Sequence, residues 1–110
     1  MNPLPNKPPT GSGGRTVVVG GHLDSVTEGP GINDNGSGTA ATLETALQMA
    51  ELGIKPTNRV RFAFWSGEED GLIGSEYYVS QLSARDIKNT ALYLNFDMVG
   101  SPNAAYFVYD

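Results

Sequence analysis

Five side chains in this sequence could act together on one chemical task. His22 follows Gly20-Gly21. Asp34 sits inside Asn33-Asp34-Asn35-Gly36. Glu68 and Glu69 follow Ser66-Gly67, and Asp97 follows Leu94-Asn95-Phe96. Four carboxylates and an imidazole brought to one place would repel as bare charges, and a divalent cation removes that repulsion. There is no cysteine, so any metal must be held by oxygen and nitrogen. That donor set suits Zn²⁺, with Mn²⁺ or Co²⁺ as alternatives. Three protein ligands plus a water is the catalytic zinc pattern, and two metals about 3.5–4 Å apart would let one carboxylate bridge them.

Taken singly, each residue has an ordinary explanation. A single histidine is commonly a packed or surface residue. An Asn-Asp-Asn-Gly run commonly forms a turn. Glu68-Glu69-Asp70 is commonly a solvated loop, and Asp97 could cap a helix. Only their joint placement gives them meaning, and that depends on the elements around them.

Thr16–Gly21 is β-branched without polar alternation, which predicts a strand buried on both faces. Asp24–Asn35 carries glycines, a proline and Asx residues and reads as a loop. Ser37 is positioned to cap a helix in which Ala40, Leu43, Leu47 and Ala50 recur at helical spacing, and Gly53 with Pro56 ends it. Arg59–Trp65 alternates, with Val60, Phe62 and Phe64 on one face and Arg61, Ala63 and Trp65 on the other. A second helix is predicted over about Leu72–Leu82, a third strand over Ala91–Phe96, and the start of a fourth over Tyr106–Tyr109.

The order is β-α-β-α-β, with crossovers long enough for parallel pairing. The fold class is therefore α/β, a mainly parallel sheet with flanking helices. His22, Glu68-Glu69 and Asp97 then lie at the carboxyl ends of three strands, where open α/β sheets bind ligands. Two helices are few for a parallel sheet, which suggests a truncated domain.

Composition removes other classes. With 7 Lys+Arg against 12 Asp+Glu the net charge is −5. No basic cluster exists to track nucleic-acid phosphates. No apolar run approaches the roughly 18 residues of a membrane helix, and no signal peptide is visible. Residues 1–14, rich in proline and glycine, read as a flexible lead-in to a domain over 15–110.

Four segments together resemble the successive motifs of the bacterial leucine-type aminopeptidases, exopeptidases with two adjacent zinc ions. They are His22-Leu23-Asp24-Ser25, Gly31-Ile32-Asn33-Asp34-Asn35-Gly36-Ser37-Gly38, Trp65-Ser66-Gly67-Glu68-Glu69 and Leu94-Asn95-Phe96-Asp97-Met98. The resemblance implies a phosphorylase/hydrolase-like three-layer α-β-α domain, of which 15–110 is a part. It implies that Asp34 bridges two metals, that His22 and Asp97 complete one of them, and that Glu69 binds the other. Glu68 resembles the general base that takes a proton from the attacking water, and Asp24 the acid that orients the metal-bound histidine. It also implies a cis peptide at Asp34–Asn35. The family's second metal takes another histidine, which these 110 residues lack, so one metal site is complete within the chain. The implied substrate is a peptide with a free amino terminus, and the implied location is extracellular. A related carboxypeptidase or dipeptidase, and an inactive peptidase-like binding domain, are the alternatives.

Overall fold

The computed structural model describes residues 14–105. Residues 1–13 of the expected lead-in over 1–14, and the fourth strand expected over 106–109, lie outside the described residues.

Three strands form a parallel sheet: β1 (Thr16–His22), β2 (Arg59–Trp65) and β3 (Thr90–Asn95). Their order is β2-β1-β3. β1 is central because its valines can be buried from both sides, and Val18 and Val19 are the buried apolar residues of the described core. The register pairs His22 with Trp65 and Gly20 with Asn95, so the three carboxyl ends finish side by side. The chain leaves β1 for β2 on one side and then reaches β3 on the other, which makes the end of β1 a topological switch point.

Helix α1 (Gly38–Glu51) fills the first crossover. It ends in a Schellman motif: Ile54 N–H bonds the Met49 carbonyl at 2.9 Å, Gly53 N–H bonds the Ala50 carbonyl at 3.2 Å, and Gly53 is left-handed at φ 62. Its start and its inward face differ from the sequence reading. Ser37 makes no side-chain cap. Its hydroxyl donates back to the Asn33 carbonyl at 2.6 Å, while Asn35 Oδ1 accepts the Gly38 N–H at 3.0 Å. The stripe facing the sheet begins at Gly38 and Thr42, both buried, whereas Leu43 and Leu47 are 48% and 55% exposed. The cause is the close docking of Gly38. A Cβ there would lie 2.0 Å from the Phe96 carbonyl oxygen, so the contact at Gly38 sets which face of the helix meets the sheet.

The second crossover holds two helices where one was expected. α2 is Ile73–Ser80 and α3 is Ala84–Asn89. Ser83, in extended conformation, separates them and accepts the Asp86 N–H at 3.1 Å as an N-cap. The alternation of β2 holds: Arg61 reaches the Tyr78 hydroxyl on α2, and the Trp65 ring lies 5.1 Å from the Tyr78 ring. The opposite face, at Gly21, meets Asn35 and the start of α1. α1 and α2 thus lie against opposite faces in the three-layer arrangement, while β3 beyond Thr90 stays exposed.

Candidate metal centre

The imidazole of His22 is 3% exposed and lies at the end of β1. Gly20 and Gly21 before it are required by close approaches on both sides. A Cβ on Gly20 would come within 2.5 Å of the Ala63 carbonyl oxygen, and one on Gly21 within 2.7 Å of the Phe96 carbonyl oxygen. The double glycine therefore lets β2, β3 and the start of α1 crowd the strand end that presents the histidine.

His22 Nδ1 lies 2.9 Å from the Asp24 carbonyl oxygen. A carbonyl can only accept, so Nδ1 carries the hydrogen and the neutral ring presents a lone pair at Nε2. That nitrogen is buried and has no hydrogen-bond partner. It faces Asp34 Oδ1 at 3.1 Å, Asp97 Oδ1 at 3.3 Å and Glu68 Oε2 at 4.0 Å. A lone pair aimed at three carboxylates is unfavourable unless a proton or a cation stands between them. Burial works against the imidazolium, but Asp97, the Asp24 carbonyl and Glu68 outweigh it and raise the His22 pKa.

Two groups of potential ligands share this imidazole, with ligand atoms within 4.8 Å of one another: His22, Asp34 and Asp97, and His22, Glu68 and Glu69. The five residues singled out in the sequence therefore come together. Glu69 Oε1 is the second buried atom of this cluster with no hydrogen-bond partner. Burial raises the Glu69 pKa first, and the charges of Asp34 and Glu68 raise it further. Imidazole nitrogen, clustered carboxylate oxygens and two unpaired buried atoms are the environment a divalent cation fits.

Asp24 contacts this group through its backbone. The carbonyl engages the imidazole, while the carboxylate oxygen is 3.6 Å from Nδ1. Its carboxylate instead accepts the Glu68 N–H through Oδ1 and the Glu69 N–H through Oδ2, each at 3.1 Å. Burial would raise the Asp24 pKa, but those two amides lower it below the ordinary value. The residue expected to orient the histidine thus also fixes the backbone of both glutamates.

The peptide Asp34–Asn35 is cis. Sequence reading gave Asn35 no role beyond its motif, and the structure gives it several contacts. It is 2% exposed, donates to the Phe96 carbonyl at 2.9 Å, and accepts from Gly38 N–H at 3.0 Å and Met98 N–H at 3.3 Å. Its run with Gly36 and Ser37 has the form of a glycosylation sequon, but the buried, bonded amide leaves no room for a glycan. The sequence clue to its structural role was the density of side chains able to bond backbone in Asn33-Asp34-Asn35.

Residues 5–110 match the model of peptidase family M28. The chain is 62% identical over 103 residues to the probable lipoprotein aminopeptidase LpqL of Mycobacterium tuberculosis, covering 92% of this chain and 20% of that protein. It is 57% identical over 102 residues to leupeptin-inactivating enzyme 1 of Streptomyces exfoliatus, covering 93% and 23%. Among solved structures it is similar to a zinc aminopeptidase from Bacillus subtilis, with TM-score 0.77 and 39% identity over 86% of this chain and 23% of that one. It is also similar to the aminopeptidase from Aneurinibacillus sp. strain AM-1, with TM-score 0.77 and 41% identity over 94% and 24%. The chain therefore spans about a quarter or less of each of these proteins.

Proposed function

This chain belongs to peptidase family M28, and from that premise we propose that the complete protein is a metal-dependent aminopeptidase cleaving peptides with a free amino terminus. The observation that carries the reading is the unpaired, buried His22 Nε2 facing Asp34 and Asp97 at 3.1 and 3.3 Å. Those three residues would hold one Zn²⁺. Asp34 would reach a second ion as well, and Glu69 would bind that second ion. A metal there supplies a Lewis acid that polarises the scissile carbonyl and lowers the pKa of water to about 7.

Glu68 is the general base in this reading. It takes a proton from the attacking water and returns it to the departing amine. Glu68 and Glu69 are adjacent and do not easily share one role, so one binds metal and the other faces water. Asp24 holds the histidine in the tautomer that exposes Nε2 and fixes the backbone that carries both glutamates. The name of the lipoprotein relative supports an envelope or extracellular location for the complete protein.

Turnover of leucyl anilide and of its N-acetylated form by the complete protein tests this. The free amine should be cleaved, the blocked one spared, and activity should vanish on chelation and return with zinc. Equal cleavage of an amino-blocked peptide would favour a carboxypeptidase. Zinc binding without hydrolysis of the anilides or of an amino-blocked peptide with a free carboxyl terminus would favour a binding domain.

A further inference from the structure

Asp34 and Asp97 stand 63 positions apart in the chain, yet both carboxylates face one nitrogen within 3.3 Å. Something must set that convergence before any ion arrives, because like charges at this spacing push apart. The residues on either side of Asp34 supply it. Asn35 donates to the Phe96 carbonyl and accepts from the Met98 N–H, so it holds the residues immediately before and after Asp97. Asn33 accepts the Gly100 N–H at 3.0 Å and donates to the Ser101 hydroxyl at 3.0 Å. Ser37 in turn holds Asn33, donating to its carbonyl at 2.6 Å and lying 3.1 Å from its Oδ1. The Ser101 hydroxyl donates to the Met98 carbonyl at 3.1 Å and closes the turn after Asp97.

We propose that Asn33 and Asn35 form a two-point clamp that fixes the segment around Asp97 against Asp34 and so presets the metal site. They are positioning residues that touch no metal. The proposal rests on the reading that His22, Asp34 and Asp97 bind a cation. Each bond joins a side chain of the loop before α1 to a backbone or hydroxyl group of residues 96–101, across more than sixty positions. A carboxamide serves both ends because it donates and accepts at once. Asn35 uses both capacities toward this segment, and so does Asn33.

The test uses the complete protein, its Asn33→Ala, Asn33→Asp and Asn35→Ala variants, zinc affinity by chelator competition, and the visible absorption spectrum of the cobalt-substituted protein. Outer partners of metal sites typically contribute about 10–100-fold in affinity. Asn33→Ala should weaken zinc binding within that range and change the cobalt spectrum, while thermal unfolding of the metal-free protein stays cooperative. Asn33→Asp keeps the acceptor for Gly100 but loses the donor to Ser101, so its zinc affinity and cobalt spectrum should fall between those of Asn33→Ala and wild type. Asn35 is buried and also caps α1, so failure of Asn35→Ala to fold leaves the decision to the Asn33 pair. If Asn33→Ala keeps wild-type zinc affinity and an unchanged cobalt spectrum, the clamp is overturned and the metal-site reading stands. If the unmodified protein binds no zinc, both fall together.

Discussion

The carboxylate of Asp24 accepts the backbone N–H of Glu68 at 3.1 Å, across 44 positions of sequence. Its other oxygen does the same for Glu69. The loop after β1 and the loop after β2 are thereby joined by one residue whose carbonyl also sets the His22 tautomer. Imidazole and glutamates cannot move independently of one another.

Asp24→Asn tests that coupling. An amide offers one oxygen and one NH2 group, so one of the two backbone N–H donors would meet another donor. An unsatisfied buried donor costs about 1–3 kcal/mol. Zinc affinity of the complete protein should fall about 10–100-fold, measured by chelator competition. Unchanged affinity would show that the carboxylate does not hold the glutamates in place.

Glu68→Gln and His22→Ala should separate proton transfer from metal binding. Glu68→Gln is isosteric and removes the base, so kcat should drop about 10²–10⁴-fold with zinc content intact. His22→Ala removes the nitrogen shared by both ligand groups, so bound zinc itself should be lost. Elemental analysis beside anilide turnover distinguishes them. Wild-type turnover by the Glu68→Gln protein would remove Glu68 from the mechanism.

Much of this arrangement is legible in the sequence because strand ends are. The unalternating Thr16–Val19 run fixes β1 as the buried centre, and parallel order then carries His22, Glu68-Glu69 and Asp97 to one edge. The inward face of α1 is not legible from apolar spacing. Leu43 and Leu47 mark the more hydrophobic stripe, but steric access at Gly38 decides the docking. α2 lies within the helix expected over about Leu72–Leu82, but α3 was not expected: Ala84–Asn89 is six mostly polar residues, too short to show a periodic apolar face, and its one signal is the Ser83 cap. The roles of Asn33 and Asn35 are hidden for another reason: their partners lie more than sixty residues away, and backbone groups leave no residue-type signature.

Tyr93, which is not itself in the ligand set, gives a further pH dependence. Its hydroxyl accepts the Trp65 Nε1–H and lies 2.7 Å from Asn95 Oδ1. Burial raises its pKa, the Trp65 bond acts in the opposite direction, and the charge of Asp97 adds to the rise. The protonated phenol is thus favoured in the folded state. Its contribution is complete below the unfolded value of about 10 and is lost as pH climbs through the folded value. Tyr93→Phe should therefore flatten the decline of unfolding free energy above about pH 10, measured by urea denaturation of wild type and variant in parallel. Identical slopes would place the phenol outside the linkage.

Gly38→Ala should be the most damaging single methyl in the described structure. Its Cβ would lie 2.0 Å from the Phe96 carbonyl oxygen and 2.4 Å from Asn35 Oδ1. Neither neighbour is a free side-chain end: the carbonyl belongs to the strand terminus beside Asp97, and Asn35 is buried and bonded. The helix must back away from β3, which breaks the Asn35 bonds to Phe96 and Met98 at the same time. Overpacking of this kind costs about 1–3 kcal/mol or more, and alanine's better helix propensity recovers only about 1 kcal/mol. Gly53→Ala is the useful comparison, since a Cβ there meets nothing within 4 Å but the position is left-handed at φ 62. Gly53→Ala should cost about 1 kcal/mol through the backbone alone and leave zinc affinity unchanged. Gly38→Ala should lower both the unfolding midpoint and zinc affinity, because the surface it disturbs is the one that sets Asp97 against Asp34.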